Sequence, residues 1–359
     1  MSCELIHTSV EKGLRGVSGF ATAVASRGLP AVLEPALEEL SAYDFDASRV
    51  LGADRVDWAY RIVMQNGRSF SVLSRTAPCG SDWSGRPNRV AHHVVLEPSE
   101  RGAAGPVWAL TSFRSFAESA PPVEERASGP TIAQGGEVAP HPASAWIAAG
   151  FDAGWAGLVA RMVLDSHGAS CYLVLPPETS TLPLLEDVFA LLSEDRRWHI
   201  TFSTRFQRVG ANARCQLRCV RQGAPSLRTL LAEPGVRHLH VERGASAGES
   251  EAADAGRRGV VVEPVQKAST RVDPVLRTVT AHSERNELGG SSDARSSSGR
   301  AAPVQSAGVG GLQDSAWSPP TAWYTPAPGR NLAASILFGI AAVALLTSFI
   351  LGVLIVLRR

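Results

Sequence analysis

The chain has 359 residues, 44% of them hydrophobic, and its 35 Lys and Arg against 34 Asp and Glu leave a formal net charge of +1. That length holds one large or two medium cores, and a near-neutral balance with no basic excess argues against a nucleic acid partner. Five cysteines, Cys3, Cys79, Cys171, Cys215 and Cys219, include no CxxC pair, which fits a reducing compartment and points to no metal and no cofactor.

The N-terminal stretch MSCELIHTSVEKGLRG has no apolar run after a basic stretch, so no secretory signal is expected and the body should stay cytoplasmic. CELIHTSV reads as an opening strand and GLRGVSG as a turn. Gly13, Gly16 and Gly19 match neither GxGxxG nor GxxxxGK[ST], so they read as a backbone turn, leading into a short helix at Phe20 to Ser26, rather than as a phosphate cradle. PALEELSAY predicts a helix with Pro35 at its first position and Leu37 and Leu40 on one face. DWAYRIVMQNGRSFSVLSR alternates about Asn66-Gly67, which predicts a hairpin. These elements make residues 1–117 a first mixed region.

Residues 118–142 are rich in Pro, Gly, Ala and Glu without apolar periodicity and read as a connector. A second mixed region is expected over 143–243: a helix in GWAGLVARMVLDS, a buried strand in CYLVLP, a helix in TLPLLEDVFALLSED, and a hairpin-like pair in WHITFSTRFQRV and ARCQLRCVR. Period 2 would set Cys215 and Cys219 on one face of that last strand as two core thiols. The fold class expected is α+β, with two mixed regions forming a soluble body.

From 244 to 330 the composition turns to Gly, Ser, Ala, Arg and Glu, broken by GVVVEPV, and reads as a disordered tether with a reach of roughly 50 Å. Residues 331–359 hold the run Leu332 to Leu357, without a charge, long enough to cross a hydrocarbon core of about 30 Å. A single-pass inner-membrane anchor follows. Arg358 and Arg359 beyond the span against Arg330 before it favour the opposite orientation, but translocating two residues is easier than exporting the body.

One stretch, Gly80 to Leu96, gathers Asp82, Arg86, Asn88, His92 and His93 around a loop and the strand that leaves it. On a strand the adjacent histidines point to opposite faces, which disfavours a joint metal site. Two readings stay open: Asp82 and Asn88 cap turns, Arg86 pairs locally and one histidine is bonded in the core, or the five form a surface for a ligand or partner. No GxSxG elbow or protease signature accompanies the serines and cysteines, and no catalytic residue is assigned.

HTSVEKGLRGVSGFATAVASRGLP, LEELSAY and LSRTAPCGSDWSGRPNRVAHHVVLEPSE resemble the type-2 N-terminal domain of the bacterial GTPase-associated protein 1 family. AGWAGLVARMV and LLSEDRRWHITFSTRFQRVGANARCQLRCV resemble the region that follows it in the same family, so the resemblance covers roughly the first 240 residues. It implies an adaptor beside a small GTPase in a bacterial conflict or stress system, with no catalytic residue to carry over. The chain departs from the family pattern near Arg205 to Ala213, where an aromatic and proline-bearing segment is expected, and it ends in a tether and anchor instead of further domains. The leading expectation is therefore a membrane-tethered adaptor with a protein partner, a GTPase by the resemblance. An enzyme using the Asp82 to His93 loop and a ligand sensor are the alternatives.

Overall fold

The computed structural model describes residues 2–42, 55–208, 210, 212–233 and 235–265. In its first half β1 (Cys3–Val10), β2 (Gly19–Ser26), α1 (Glu34–Leu40), β3 (Asp57–Gln65), β4 (Arg68–Ser81) and β5 (Pro87–Leu96) are followed by α2 (Pro106–Ser112). Gln65 faces Arg68 across the two-residue turn, with Asn66 at φ 49° and Gly67 at φ 73°. Both positive angles belong to the hairpin turn whose twist matches that of its strands. The residues expected to be helical after Gly19 are strand: Phe20 pairs with Ser9 and Ala25 with Leu5 on β1. Small residues such as Ala21, Ala23 and Ala25 have high helix propensity, but a sheet that pairs their buried backbone groups outweighs it.

The connector contributes β6 (Glu124–Arg126), which pairs in parallel with β2 from Val24 to Ser26. Then come α3 (Ser144–Ala148), α4 (Gly154–Asp165), β7 (Cys171–Leu175), α5 (Thr181–Ala190), α6 (Glu194–Arg197), β8 (Phe202–Ser203), β9 (Ala213–Arg214), β10 (Leu217–Arg221), α7 (Leu227–Leu231), β11 (Arg237–His240) and α8 (Glu251–Arg258). The hairpin-like pair expected here is not formed. β10 runs parallel to β8 and to β7, and β11 parallel to β7, while β9 turns aside to pair with β3. All five residues of β7 are buried, the pattern of a strand covered on both faces, as parallel sheets require.

The strands form one mixed sheet in the order β11-β7-β10-β8-β3-β4-β5-β1-β2-β6. Its two halves join where Ala59 and Tyr60 of β3 pair with Ser203 and Phe202 of β8. The body is thus mixed α/β, and the two expected regions share a sheet. Packed on one face, α2 to α5 bury Trp146, whose indole N–H donates to Leu184 O at 3.0 Å. On the other face α1 lays Leu37 and Leu40 over Leu5, Val63, Val72 and Val95. Each such large apolar side chain contributes roughly 1.5–3 kcal/mol.

Cys215 and Cys219 are both buried, but not on one face: the strand is broken between Arg214 and Leu217, so Cys215 packs with Tyr172 and Phe206 and Cys219 in the main core. Burial pushes the Cys215 thiol up to about 11 and Cys219 higher still, as expected of inert core thiols.

The expected tether also needs correction at its start. α8, begun by Ser250 Oγ accepting from Ala253 N and ended by Gly259 at φ 70°, is a folded helix. It packs on α4 so closely that a Cβ on Gly157 would lie 1.7 Å from Ala252 O, and Arg257 clamps Asp152 at 2.7 Å. The Ala and Gly content that resembles a linker is what such close helix contact demands. The rest of the expected tether, from 266, and the whole apolar run 332–357 lie outside the described residues. Among the described residues no helix is long and apolar enough to cross a membrane.

Candidate functional site

The turn between β4 and β5 is organised by a single carboxylate. Asp82 Oδ1 accepts from Ser84 N at 2.9 Å, Ser84 Oγ at 2.7 Å and Arg86 N at 2.9 Å. Its Oδ2 accepts from Ser9 Oγ at 2.9 Å and from the Arg86 guanidinium at 3.1 and 3.2 Å. Gly85, at φ 81°, closes the loop with its N–H on Asp82 O at 2.9 Å. The hydrogen bond from Ser84, with those from Arg86 and Ser9, holds the Asp82 carboxyl well below the usual carboxylate range. An aspartate that satisfies loop amides in this way stiffens the turn. Arg86 is tied to it yet keeps its side chain 54% exposed, and Trp83 stands 56% exposed at the tip.

Asn88 is buried, and its Oδ1 accepts from Ser9 N at 3.1 Å and Arg89 N at 2.8 Å. It stitches the start of β5 to the end of β1. His92 and His93 leave this surface altogether. Ala117 N donates to His92 Nδ1 at 3.0 Å, so the ring proton sits on Nε2 and donates to Glu4 Oε2 at 2.8 Å. Burial keeps His92 neutral despite that acid. Burial pushes the Glu4 carboxyl up, but the bonds from His92 and from Arg126 at 2.9 Å outweigh it and keep Glu4 ionised. Phe113 and Phe116 meet the His92 ring edge-on.

His93 points to the opposite face, fully buried beneath α1. Ser41 Oγ spends its proton on Leu37 O at 2.9 Å, so His93 Nε2 donates to Ser41 Oγ at 2.9 Å and Nδ1 accepts from Ser74 Oγ at 2.8 Å. Its pKa is driven far below the usual histidine value by burial. Of the five residues singled out in the sequence, Asp82 and Arg86 form one surface turn, Asn88 braces it from below, and the two histidines are bonded core residues on separate faces.

Beside the turn lies an open groove of about 850 Å³, walled by Ser9 to Lys12, Asp82, Trp83 and the extended segment Ala120 to Val123. The glycine-rich loop at its rim offers no anion nest: Gly13 N bonds Val17 O, Gly16 N bonds Gly13 O and Leu14 N bonds Thr22 O. Among the described residues no three His, Cys, Asp or Glu are grouped to hold a metal ion. The residues missed from sequence are the distant partners: Ser9 lies 73 positions from Asp82 and Glu4 lies 88 from His92, separations that carry no local signal. Trp83 had one, an aromatic set among Ser and Gly in a turn.

Residues 1–135 match the family model described as GTPase-associated protein 1, N-terminal domain type 2, and residues 143–240 match that of the GTPase-associated protein 1 middle domain. No curated protein and no solved structure matches the chain. The first match contains the whole Asp82 turn and its groove, and the second holds the strands from β7 to β11. Carrying both domains in succession, the chain belongs to the GTPase-associated protein 1 family.

Proposed function

We propose that this protein is a membrane-tethered adaptor that holds a GTPase near the cytoplasmic face of the inner membrane and receives it on the groove beside the Asp82 turn. The observation that carries the reading is Trp83, an indole 56% exposed on a turn that a six-bonded aspartate keeps from collapsing. Tryptophan and arginine dominate interface energetics when a rigid surface presents them, and here Trp83 and Arg86 share one loop. The family supports a GTPase-centred system. The charge-free run 332–357 supports the tether, and the absence of an apolar run after a basic stretch near residue 1 supports a cytoplasmic body.

Affinity capture of the full chain from its own membranes tests this. A GTPase should co-purify with the unaltered protein and be lost with Trp83→Ala or Arg86→Ala, at unchanged melting temperature. Capture that is indifferent to both substitutions moves the docking surface elsewhere, and capture without a GTPase ends the adaptor reading. Removing everything after Arg330 should shift the protein from the membrane pellet to the soluble fraction.

A further inference from the structure

A second cavity, remote from the Asp82 turn, lies where the two family domains meet. It encloses about 300 Å³ between α2, the start of α3 and α5, with apolar walls from Val107, Trp108, Pro183 and Phe189. Arg197 and Asp187 are its buried polar groups, 3% and 4% exposed, while Glu186 and His141 line it from more exposed positions.

The guanidinium is the unusual member. Arg197 donates from Nε to Phe189 O at 3.1 Å, from Nη1 to Ala103 O at 3.0 Å and from Nη2 to Val138 O at 2.9 Å. Those three carbonyls use three of the five N–H groups an arginine carries. Dipoles orient the cation without neutralising it, and none of the described carboxylates forms an ion pair with it; Glu194 and Glu137 act only from a distance. A buried charge is normally paired. Asp187 is committed differently, with Oδ2 accepting from Ala145 N at 2.8 Å at the start of α3, and His141 3.9 Å from its Oδ1. It caps a helix and stabilises that wall of the cavity.

We propose that this junction cavity binds a small organic monocarboxylate with an apolar body, its carboxylate paired with Arg197 and its hydrocarbon part against Trp108 and Phe189. A carboxylate supplies the missing counter-charge and accepts two parallel N–H bonds from a guanidinium. The apolar walls exclude a bare inorganic anion as the preferred occupant, and the volume, at about 30 Å³ per water-sized group, admits roughly ten non-hydrogen atoms. Clefts of this makeup, apolar with a few convergent polar groups at a junction of domains, are where small ligands bind. The inference does not depend on the groove beside Asp82 or on any GTPase.

Titration calorimetry of the full chain with 4-methylpentanoate, with the change in tryptophan fluorescence that is lost in Trp108→Phe as a second readout, tests it. The acid should bind saturably at one site, and 4-methylpentan-1-ol, which keeps the hydrocarbon and loses the charge, at least about tenfold more weakly. Arg197→Met should abolish binding; should that variant not fold, Ala190→Leu decides, because it fills the cavity from its wall while leaving Arg197 in place. Binding should then be lost at unchanged melting temperature. No saturable heat, equal binding of acid and alcohol, inorganic phosphate competing as well as the acid, or full binding by Ala190→Leu would each overturn the proposal.

Discussion

The two ends of the Gly80 to Leu96 segment use the same kinds of residue for opposite ends. At the turn, Asp82 gathers six donors at the surface and leaves Arg86 and Trp83 facing solvent; ten residues on, His92 and His93 are sealed in the sheet with every ring nitrogen bonded. The difference is made by what lies above each strand position. Beneath α1 and behind Phe113 and Phe116 a polar ring has no water to turn to, so protein partners must satisfy it. At the turn, water is available and the bonds serve to fix shape. Density of polar residues in a sequence therefore does not by itself mark a site, and only the solvent-facing part of this one is open to a partner.

The sharpest way to break that contrast is at its buried end. His93→Ala leaves Ser41 and Ser74 facing an empty space, and His92→Ala leaves Glu4 Oε2 and Ala117 N without their partner while Arg126 still holds Glu4 Oε1, so each should cost about 2–3 kcal/mol in denaturant unfolding. A cost below about 1 kcal/mol would mean that the histidines are not the structural members described. The next effect is on pH. His7, also buried on the α1 side of the sheet, is pushed down to about 4 by burial. With an unfolded value near 6.5, the unfolded chain binds the proton first as pH falls. Stability is therefore complete above about 6.5 and is lost between there and about 4, by about 2 kcal/mol at pH 5 from His7 alone. His92 and His93, lowered in the same direction, add to this loss. Asp82 works in another window, because its depressed pKa stabilises the fold above the ordinary carboxylate range and the contribution goes only as pH falls below about 4. Unfolding curves at pH 7.5, 5 and 3.5 should separate the two ends.

Smaller effects fall at the turn. Asp82→Ala removes the acceptor of the Ser84 and Arg86 amides, and those two amides should exchange with solvent at least about tenfold faster while core amides do not change. Exchange accelerated throughout β5 would show that the turn is not a separate unit. The least effect on stability belongs to Trp83→Ala and Arg86→Ala, within about 0.5 kcal/mol of the unaltered protein, although their effect on partner capture should be the largest of all.

Much of this was legible from local pattern. Asn66-Gly67 fixed a hairpin, Leu37 and Leu40 marked the buried face of α1, and the apolar run CYLVL marked a strand covered on both sides. What stayed hidden depends on partners far away in the chain. Nothing in ARCQLRCVR tells whether its neighbour is antiparallel or parallel; β10 pairs with β7 and β8 because α4 and α5 cover the sheet around it. α8 was hidden for a different reason, since Ala252, Ala253 and Gly256 read as linker until the glycines of α4 are placed against them. At the candidate site the turn-forming role of Asp82 was visible, and the mutual exclusion of the histidines followed from strand alternation, whereas Asn88 caps no turn and instead joins β5 to β1. That one histidine is bonded in the core was among the open readings, but the burial of both was not, because Glu4, Ser41 and Ser74 had no sequence cue tying them to the segment.

The pairing of β3 with β8 also bears on how the protein is made. About 140 residues separate Tyr60 from Phe202, and at roughly 5–20 residues per second a ribosome needs on the order of ten to thirty seconds to bridge them. During that interval the nascent N-terminal domain presents the outer edge of β3, with Ala59, Tyr60, Ile62 and Val63, to anything able to add a strand. Release of a fragment ending near 135 would make that exposure permanent. Synthesis of the middle domain completes the sheet and also withdraws an adhesive edge, which gives the cell a reason to keep the two domains on one polypeptide.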